Sequence, residues 1–361
     1  MRQILCVLWH DSKGWFEGMI DQTGNGMNKF SLETAVWEIT LACCFSCKYC
    51  GSQGGKAREN ELSTEECLDV VHQLAELGCR RVSLIGGEVF MRRDWKTIVH
   101  ELTAYGIRTA IITNGFLFSE ETIRDLKEVS IESIAVSLDS VEAVHDRYRQ
   151  KGSYARAVQA IDALTEAGFT VTVISTLNQE SVASLDEFYA FLRTRPIAAW
   201  QLQACSPMGN AARSGIDYRF DFGEVIAFVE KNMEAAPFAM GIADNIGYYT
   251  ETEGKLRGHE HSWYRGCQAG LTLLGIDSVG NIRGCESMYD ERFIEGNIRE
   301  RRMADIWNDL GAFAYNREFR RENLTGACAT CEYGPYCAGG CRSYNFFVHG
   351  KIYESPACAR K

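Results

Sequence analysis

The chain has 361 residues, enough for one large domain and a smaller one, so its 15 cysteines are not needed as staples for an undersized core. Its 48 acidic against 38 basic residues give a net charge of −10, which argues against a phosphate backbone as the main partner, because sequence-independent nucleic-acid binding draws on excess Lys and Arg. No stretch is apolar enough to span a bilayer and no secretion signal stands before the cysteines, so the expectation is a soluble cytoplasmic protein with no membrane partner. In a reducing cytosol, clustered thiols serve more often as metal ligands or catalytic groups than as disulfides.

Residues 1–32 read as an appended hairpin, RQILCVLWH and WFEGMI around the turn DSKG. From about Glu33, short apolar runs alternate with helical patterns. The strands expected are 35–42, 81–87, 108–115, 133–140, 169–178 and 199–207. Between them lie helices such as STEECLDVVHQLAELG and SYARAVQAIDALTEAG, which open on Ser and close on Gly, as caps require. Six such units predict an α/β fold: a parallel sheet with right-handed crossovers, closed or partial as a barrel, over residues 33–235. Ligands of such a barrel gather at the C-terminal ends of its strands. Past Asp221 comes one more helix, FGEVIAFVEKNMEA, then a Gly, His and Tyr-rich linker to 266. The cysteine-rich segment 267–361 has too few long apolar runs for its own core, and bound metal is expected to organise it.

Cys43, Cys47 and Cys50 give C-x3-C-x2-C directly after the first strand. Three ligands at this spacing can wrap one face of a cubane and leave its fourth iron open. A closed zinc site, the alternative, wants four ligands, and Cys44 adjoins Cys43 too closely for both to chelate easily. The stretch CCFSCKYC resembles the cluster loop of radical S-adenosylmethionine (SAM) enzymes, with Tyr49 in the aromatic position beside the adenine. IGGEVF resembles that family's Gly-Gly-Glu-Pro motif, which implies that Gly86, Gly87 and Glu88 meet the methionyl amino group; Val89 stands where proline is usual. Ser137 and Asp139 match a Ser-x-Asp near the SAM ribose and carboxylate. His145, Asp146 and Arg149 match an H-D-x-x-R run whose arginine can pair with that carboxylate. Asn114 and Asn178 also sit at strand tips, as site residues or as turn closers. The chemistry this resemblance implies is reductive cleavage of SAM to a 5′-deoxyadenosyl radical that abstracts a substrate hydrogen atom.

The later cysteines resemble the SPASM signature: Cys267, then Gly280 and Cys285, then Cys328-x2-Cys331-x5-Cys337-x3-Cys341, and finally Cys358. Carried over residue by residue, the family assigns Cys328, Cys331, Cys337 and Cys358 to one auxiliary [4Fe-4S] cluster and Cys267, Cys285 and Cys341 to a second. With the SAM-binding cluster that makes three. The second auxiliary set is one ligand short, and His261 stands about where some relatives supply a cysteine. Glu286 follows Cys285, at the position where sulfatase-maturating relatives place a basic aspartate, which implies a catalytic carboxylate. Cys67 and Cys79 read as core residues, and the proline-glycine run after Cys205, in LQACSPMGNA, resembles a family segment that borders the active site.

These motifs imply a maturase that oxidises or cross-links side chains of a ribosomally made precursor peptide or protein, with a flavodoxin- or ferredoxin-type electron donor. Two alternatives stand beside it: a radical SAM maturase of a tetrapyrrole or other small cofactor, and a zinc-binding structural or interaction protein.

Overall fold

The computed structural model describes residues 30–257 and 263–360. The two arms of the expected N-terminal hairpin lie outside these, as does His261. Ten strands are present among the described residues: β1 (Thr34–Glu38), β2 (Arg81–Ile85), β3 (Arg108–Thr113), β4 (Ser133–Ser137), β5 (Val171–Leu177), β6 (Ala199–Ala204), β7 (Ala239–Ile242), β8 (Leu273–Ile276), β9 (Asn281–Arg283) and β10 (Gly296–Asn297). They form one sheet in the order β10-β9-β8-β1-β2-β3-β4-β5-β6-β7. The six expected strands are all there, each starting within two residues of its predicted position, and all pair in parallel.

The sheet extends past these six on both sides. β7 lies inside the segment read as a linker and pairs in parallel with β6, while β8 lies inside the cysteine-rich segment and pairs in parallel with β1. Both are four-residue runs containing glycine, AMGI and LLGI, too short for periodicity to reveal. The cysteine-rich segment is therefore not a free-standing appendage. Its first hairpin, β8 with antiparallel β9, continues the main sheet.

Helices α1 (Thr64–Glu76), α2 (Trp95–Ala104), α3 (Glu120–Lys127), α4 (Glu142–Tyr148), α5 (Ser153–Glu166), α6 (Gln179–Ala183), α7 (Leu185–Leu192) and α8 (Phe222–Asn232) connect or follow the strands. The α1 start is a reciprocal cap: Ser63 Oγ accepts from Glu66 N, and Ser63 N donates to the Glu66 carboxylate. Strand alternation then divides the sheet into two faces. Trp37, Leu84, Ile111, Val136, Val173 and Leu202 pack into the large core with the helices. Their neighbours in sequence face the opposite side, where Ala110, Ala135 and Ile174 make a small cluster of their own and Glu38, Ser83, Ser137 and Gln201 add polar groups. That inner face is built from small and polar side chains, which leaves room at the strand tips for ligands.

Trp200 shows how the outer layer is tied down. It is fully buried, stacks near Tyr189 and meets Phe188 and Phe228 edge-on at 5.5 and 5.9 Å. Its Nε1–H donates to Ser175 Oγ at 2.8 Å, and that hydroxyl donates to the Leu138 carbonyl at 2.6 Å. Trp200→Ala is expected to destabilise the fold by about 3–5 kcal/mol in denaturant titration, the range for a large aromatic removed from a core. Trp200→Phe, which keeps a ring but loses the N–H, should lose clearly less.

Candidate functional site

The loop after β1 carries Cys43, Cys47 and Cys50, and neighbouring turns pin it from several directions. Backbone N–H groups reach two of its sulfurs: Phe45 N to Cys43 Sγ at 3.4 Å and Gly54 N to Cys50 Sγ at 3.2 Å. Such donors suit a thiolate, and second-shell contacts of this kind orient metal ligands. Asn114 Nδ2 lies 3.8 Å from Cys43 Sγ and 3.5 Å from Cys44 Sγ, so this strand-tip asparagine belongs to the site. Burial raises the free Cys47 thiol to about 12, opposed by the nearby Arg149 charge.

The loop after β6 clamps the same segment. Asn210 N donates to Cys50 O and Asn210 Nδ2 to Cys47 O, both at 2.9 Å. Gly209, at φ +57°, passes so close that a Cβ would sit 2.2 Å from Gly51 O. From sequence this stretch stood out for its proline-glycine run and for Cys205, which is buried and whose thiol burial pushes up to about 12. The clamp itself is Gly209 and Asn210.

Gly86 and Gly87 have a steric reason. A Cβ on Gly87 would stand 2.3 Å from Ala42 O, and one on Gly86 2.7 Å from Thr40 O. Glu88 is buried, accepts from Thr113 Oγ1 and Asn114 N at 2.8 Å each, and has its pKa raised by burial against those hydrogen bonds. Its carboxylate thus joins the tips of β2 and β3. Ser137 is the half-buried last residue of β4.

Asp139, two residues on, is the centre of a knot. Arg149 donates to it through Nε at 2.6 Å and Nη2 at 3.1 Å, the Tyr49 hydroxyl donates to Oδ2, and Thr176 N donates to Oδ1 at 2.9 Å. Burial works to raise the Asp139 pKa, but the Arg149 charge outweighs it and holds the carboxyl below its usual value. The geometry therefore pairs Arg149 with Asp139. His145 Nδ1 accepts from Asp139 N at 3.2 Å, and burial depresses its pKa to about 4, so the ring is neutral. Asp146 instead accepts from Gly152 N and Tyr154 N at the start of α5, and Asn178 caps α6; both close turns.

Cys328, Cys331, Cys337 and Cys358 line one small cavity with Tyr248, Tyr249, Tyr333 and Arg360. Ser355 N lies 3.4 Å from Cys328 Sγ. Cys267 and Cys285 pack against the same cluster of Ala269, Met288 and Phe293, and Cys341, whose Sγ lies 3.5 Å from Tyr344 N, is near enough to both to interact electrostatically. Among the described residues no three His, Cys, Asp or Glu side chains converge closely enough for a single metal ion. A cubane, in which each iron takes one thiolate, holds its ligands farther apart than one ion does. The donor chemistry, all sulfur with backbone N–H support, fits iron–sulfur clusters.

Glu286 is half-buried beside a network that sequence reasoning missed. Arg58 Nη1 donates to Glu38 Oε1 at 2.5 Å and also reaches Ser278 Oγ, while its Nη2 contacts the Tyr289 hydroxyl. Arg283 pairs with Asp277 at 2.8 Å. Burial first, then the Glu38 charge, raises the Glu286 pKa to about 7. The available signal was Glu38 itself, a carboxylate in the otherwise apolar strand AVWEITLA.

No helix among the described residues is long and apolar enough to cross a membrane. The Radical SAM superfamily model matches residues 37–192, and the SPASM iron-sulfur cluster-binding domain model matches 267–332. Mycofactocin maturase MftC of Mycolicibacterium smegmatis is 30% identical over 318 residues, 86% of this chain and 78% of the relative. AdoMet-dependent heme synthase of Oleidesulfovibrio alaskensis is 25% identical, over 89% of this chain and 86% of that one. Among solved structures, Streptococcus suis SuiB bound to its precursor peptide SuiA superposes with a TM-score of 0.70 at 18% identity, covering 90% of this chain and 75% of that one. With both motif sets seated at the strand tips and in the cysteine-rich segment, and with these matches, the chain belongs to the radical SAM enzymes that carry a SPASM domain.

Proposed function

We propose that this radical SAM maturase oxidatively modifies or cross-links side chains of a ribosomally made precursor peptide or protein. Cys43, Cys47 and Cys50 would hold the SAM-binding cluster, with Tyr49, Gly86, Gly87, Glu88, Ser137, Asp139 and Arg149 around the SAM. Cys328, Cys331, Cys337 and Cys358 would hold one auxiliary [4Fe-4S] cluster and Cys267, Cys285 and Cys341 the other. When bound, the clusters and SAM supply a carbon radical that takes a hydrogen atom from the substrate and a sink for the electron that follows. The protein's own part is to position the substrate, exclude water and take up a proton.

The observation that carries the reading is Glu286: a carboxylate directly after Cys285, close to two arginine–carboxylate pairs and with no salt bridge of its own among the described residues. Its burial makes it a base of the strength needed near neutral pH. It would accept the proton released as the substrate loses its electron toward the adjacent cluster. The peptide class is supported by SuiB, whose structure holds a precursor peptide, and by the MftC relative. The heme synthase relatives favour a second reading, a tetrapyrrole substrate. A cytoplasmic setting and a flavodoxin- or ferredoxin-type donor complete the proposal.

The deciding experiment incubates reconstituted enzyme, SAM and dithionite with a peptide encoded by a short reading frame beside the gene, and separately with iron coproporphyrin. Mass change in the peptide supports the first reading; decarboxylated porphyrin with unchanged peptide overturns it.

Replacing Cys43, Cys47 and Cys50 together by alanine should abolish 5′-deoxyadenosine formation while leaving about eight irons per chain on the two auxiliary sites. Iron and sulfide analysis beside chromatography of the nucleoside products checks both halves. Glu286→Gln keeps the shape and loses the basicity. It should leave SAM cleavage near the parent rate and cut modified product by about 10²-fold or more, the usual contribution of a general base. Equal product yields from the two proteins would return Glu286 to an ordinary structural role.

A further inference from the structure

The group formed by Cys267, Cys285 and Cys341 has two tyrosines beside it whose hydroxyl protons are unspent. Tyr264 is 5% exposed, with its ring centroid 4.6 Å from that of Tyr248 and the Arg257 guanidinium 5.0 Å from it. Its hydroxyl is buried and has no hydrogen-bond partner among the described residues. Cys267 stands three residues further along the chain, and Tyr248, the ring Tyr264 packs on, takes the Cys341 N–H on its hydroxyl. Tyr315 comes from a different element, its ring edge-on to Phe293 at 5.6 Å. Its hydroxyl oxygen lies against the Gly284 backbone N–H, while its buried proton has no acceptor among the described residues. The oxygen presses on Gly284, the residue before Cys285, so closely that a Cβ there would lie 2.1 Å away. Cys267 and Cys285 act on it together with Glu295.

Tyr248 shows what an ordinary buried tyrosine does in this neighbourhood. Its hydroxyl donates to Asp244 O at 2.7 Å and accepts from Cys341 N at 2.9 Å. Buried hydroxyls are almost always bonded, because an unmade bond carries the full cost of desolvation. Two buried hydroxyl protons without an acceptor among the described residues, both beside one cysteine group, therefore point to an acceptor that belongs there, and the acceptors an iron–sulfur cluster offers are its anionic sulfurs.

We propose that the Tyr264 and Tyr315 hydroxyls donate hydrogen bonds to sulfur atoms of the cluster held by Cys267, Cys285 and Cys341, raising its reduction potential. Donors to sulfur draw off negative charge and favour the reduced cluster, the form that has just accepted an electron from an oxidised substrate. The two tyrosines act as positioning residues through the cluster and do not touch the substrate. The inference rests on the assignment of those three cysteines to one cluster.

The test is potentiometric EPR of the reconstituted holoenzyme, with the relevant signal recognised by its disappearance from Cys341→Ala. In Tyr264→Phe and in Tyr315→Phe the midpoint potential of that signal should fall, and in the double variant it should fall further, while the other clusters keep theirs. An unshifted potential with the signal intact overturns the proposal. A parent enzyme with no Cys341-dependent signal overturns the cluster assignment and the proposal with it, whatever the tyrosines do. Should a phenylalanine variant lose the cluster, deuterium ENDOR on the parent in D2O decides: no exchangeable deuteron coupled to the Cys341-dependent signal overturns the proposal.

Discussion

Two backbone hydrogen bonds join the end of β2 to the cysteine loop, and the site depends on them: Gly87 N to Thr40 O at 2.8 Å and Glu88 N to Ala42 O at 2.7 Å. They are possible only because neither glycine carries a Cβ, which would collide with the carbonyls of the loop. Once the turn is seated, the Glu88 carboxylate is brought to Thr113 and Asn114 on the β3 tip, and Asn114 in turn touches the Cys43 and Cys44 sulfurs. Three strand ends and the cysteine loop are thus one unit. Val89, where the family usually has proline, is fully buried in the core and leaves this backbone pairing untouched.

The opposite side of the loop is held by charge. Asp139 is buried with Arg149 and Tyr49 partly covering it, and pairs so shielded add little net stability because desolvation opposes their attraction. Their contribution is to geometry. A bidentate guanidinium, a phenol and a backbone N–H leave Asp139 one orientation, and Tyr49 is drawn toward β4 with the loop that bears it. Lys48 N bonds to Tyr148 O at 2.8 Å, which fastens the loop to α4 as well.

The parts of this arrangement that were legible in the sequence are those with a strong local pattern. The six central strands and their helices follow from apolar runs between caps, and the cysteines, the Gly-Gly-Glu turn and Ser137–Asp139 follow from spacing. Arg149 was found but given a different partner, because sequence offers no way to choose between a ligand carboxylate and Asp139 ten residues away. The strands β7 and β8 were missed because each, at four residues, is too short for an alternation to stand out and owes its existence to a neighbour already in place. Arg58, Tyr289 and the unspent hydroxyls of Tyr264 and Tyr315 were invisible for a related reason. Their meaning lies in contacts across as many as 251 positions of chain, as between Glu38 and Tyr289.

Pairing of β8 with β1 has a consequence for the chemistry. β1 leads into the loop of Cys43, Cys47 and Cys50, and β8–β9 leads into Cys285 and Glu286, so the proposed SAM-cluster loop and the proposed base grow from adjacent strands. Glu38 closes β1 and meets Ser278 N just past β8, with Arg58 and Tyr289 bridging the same gap. Replacing such a buried network with apolar side chains would cost the fold little by the usual balance of desolvation and attraction. What apolar packing cannot do is hold Glu286 near two arginines that are each already committed to another carboxylate. In that setting burial and the like charge of Glu38 outweigh the opposing charges of Arg283 and Arg58, and the last carboxylate becomes a stronger base than a surface glutamate.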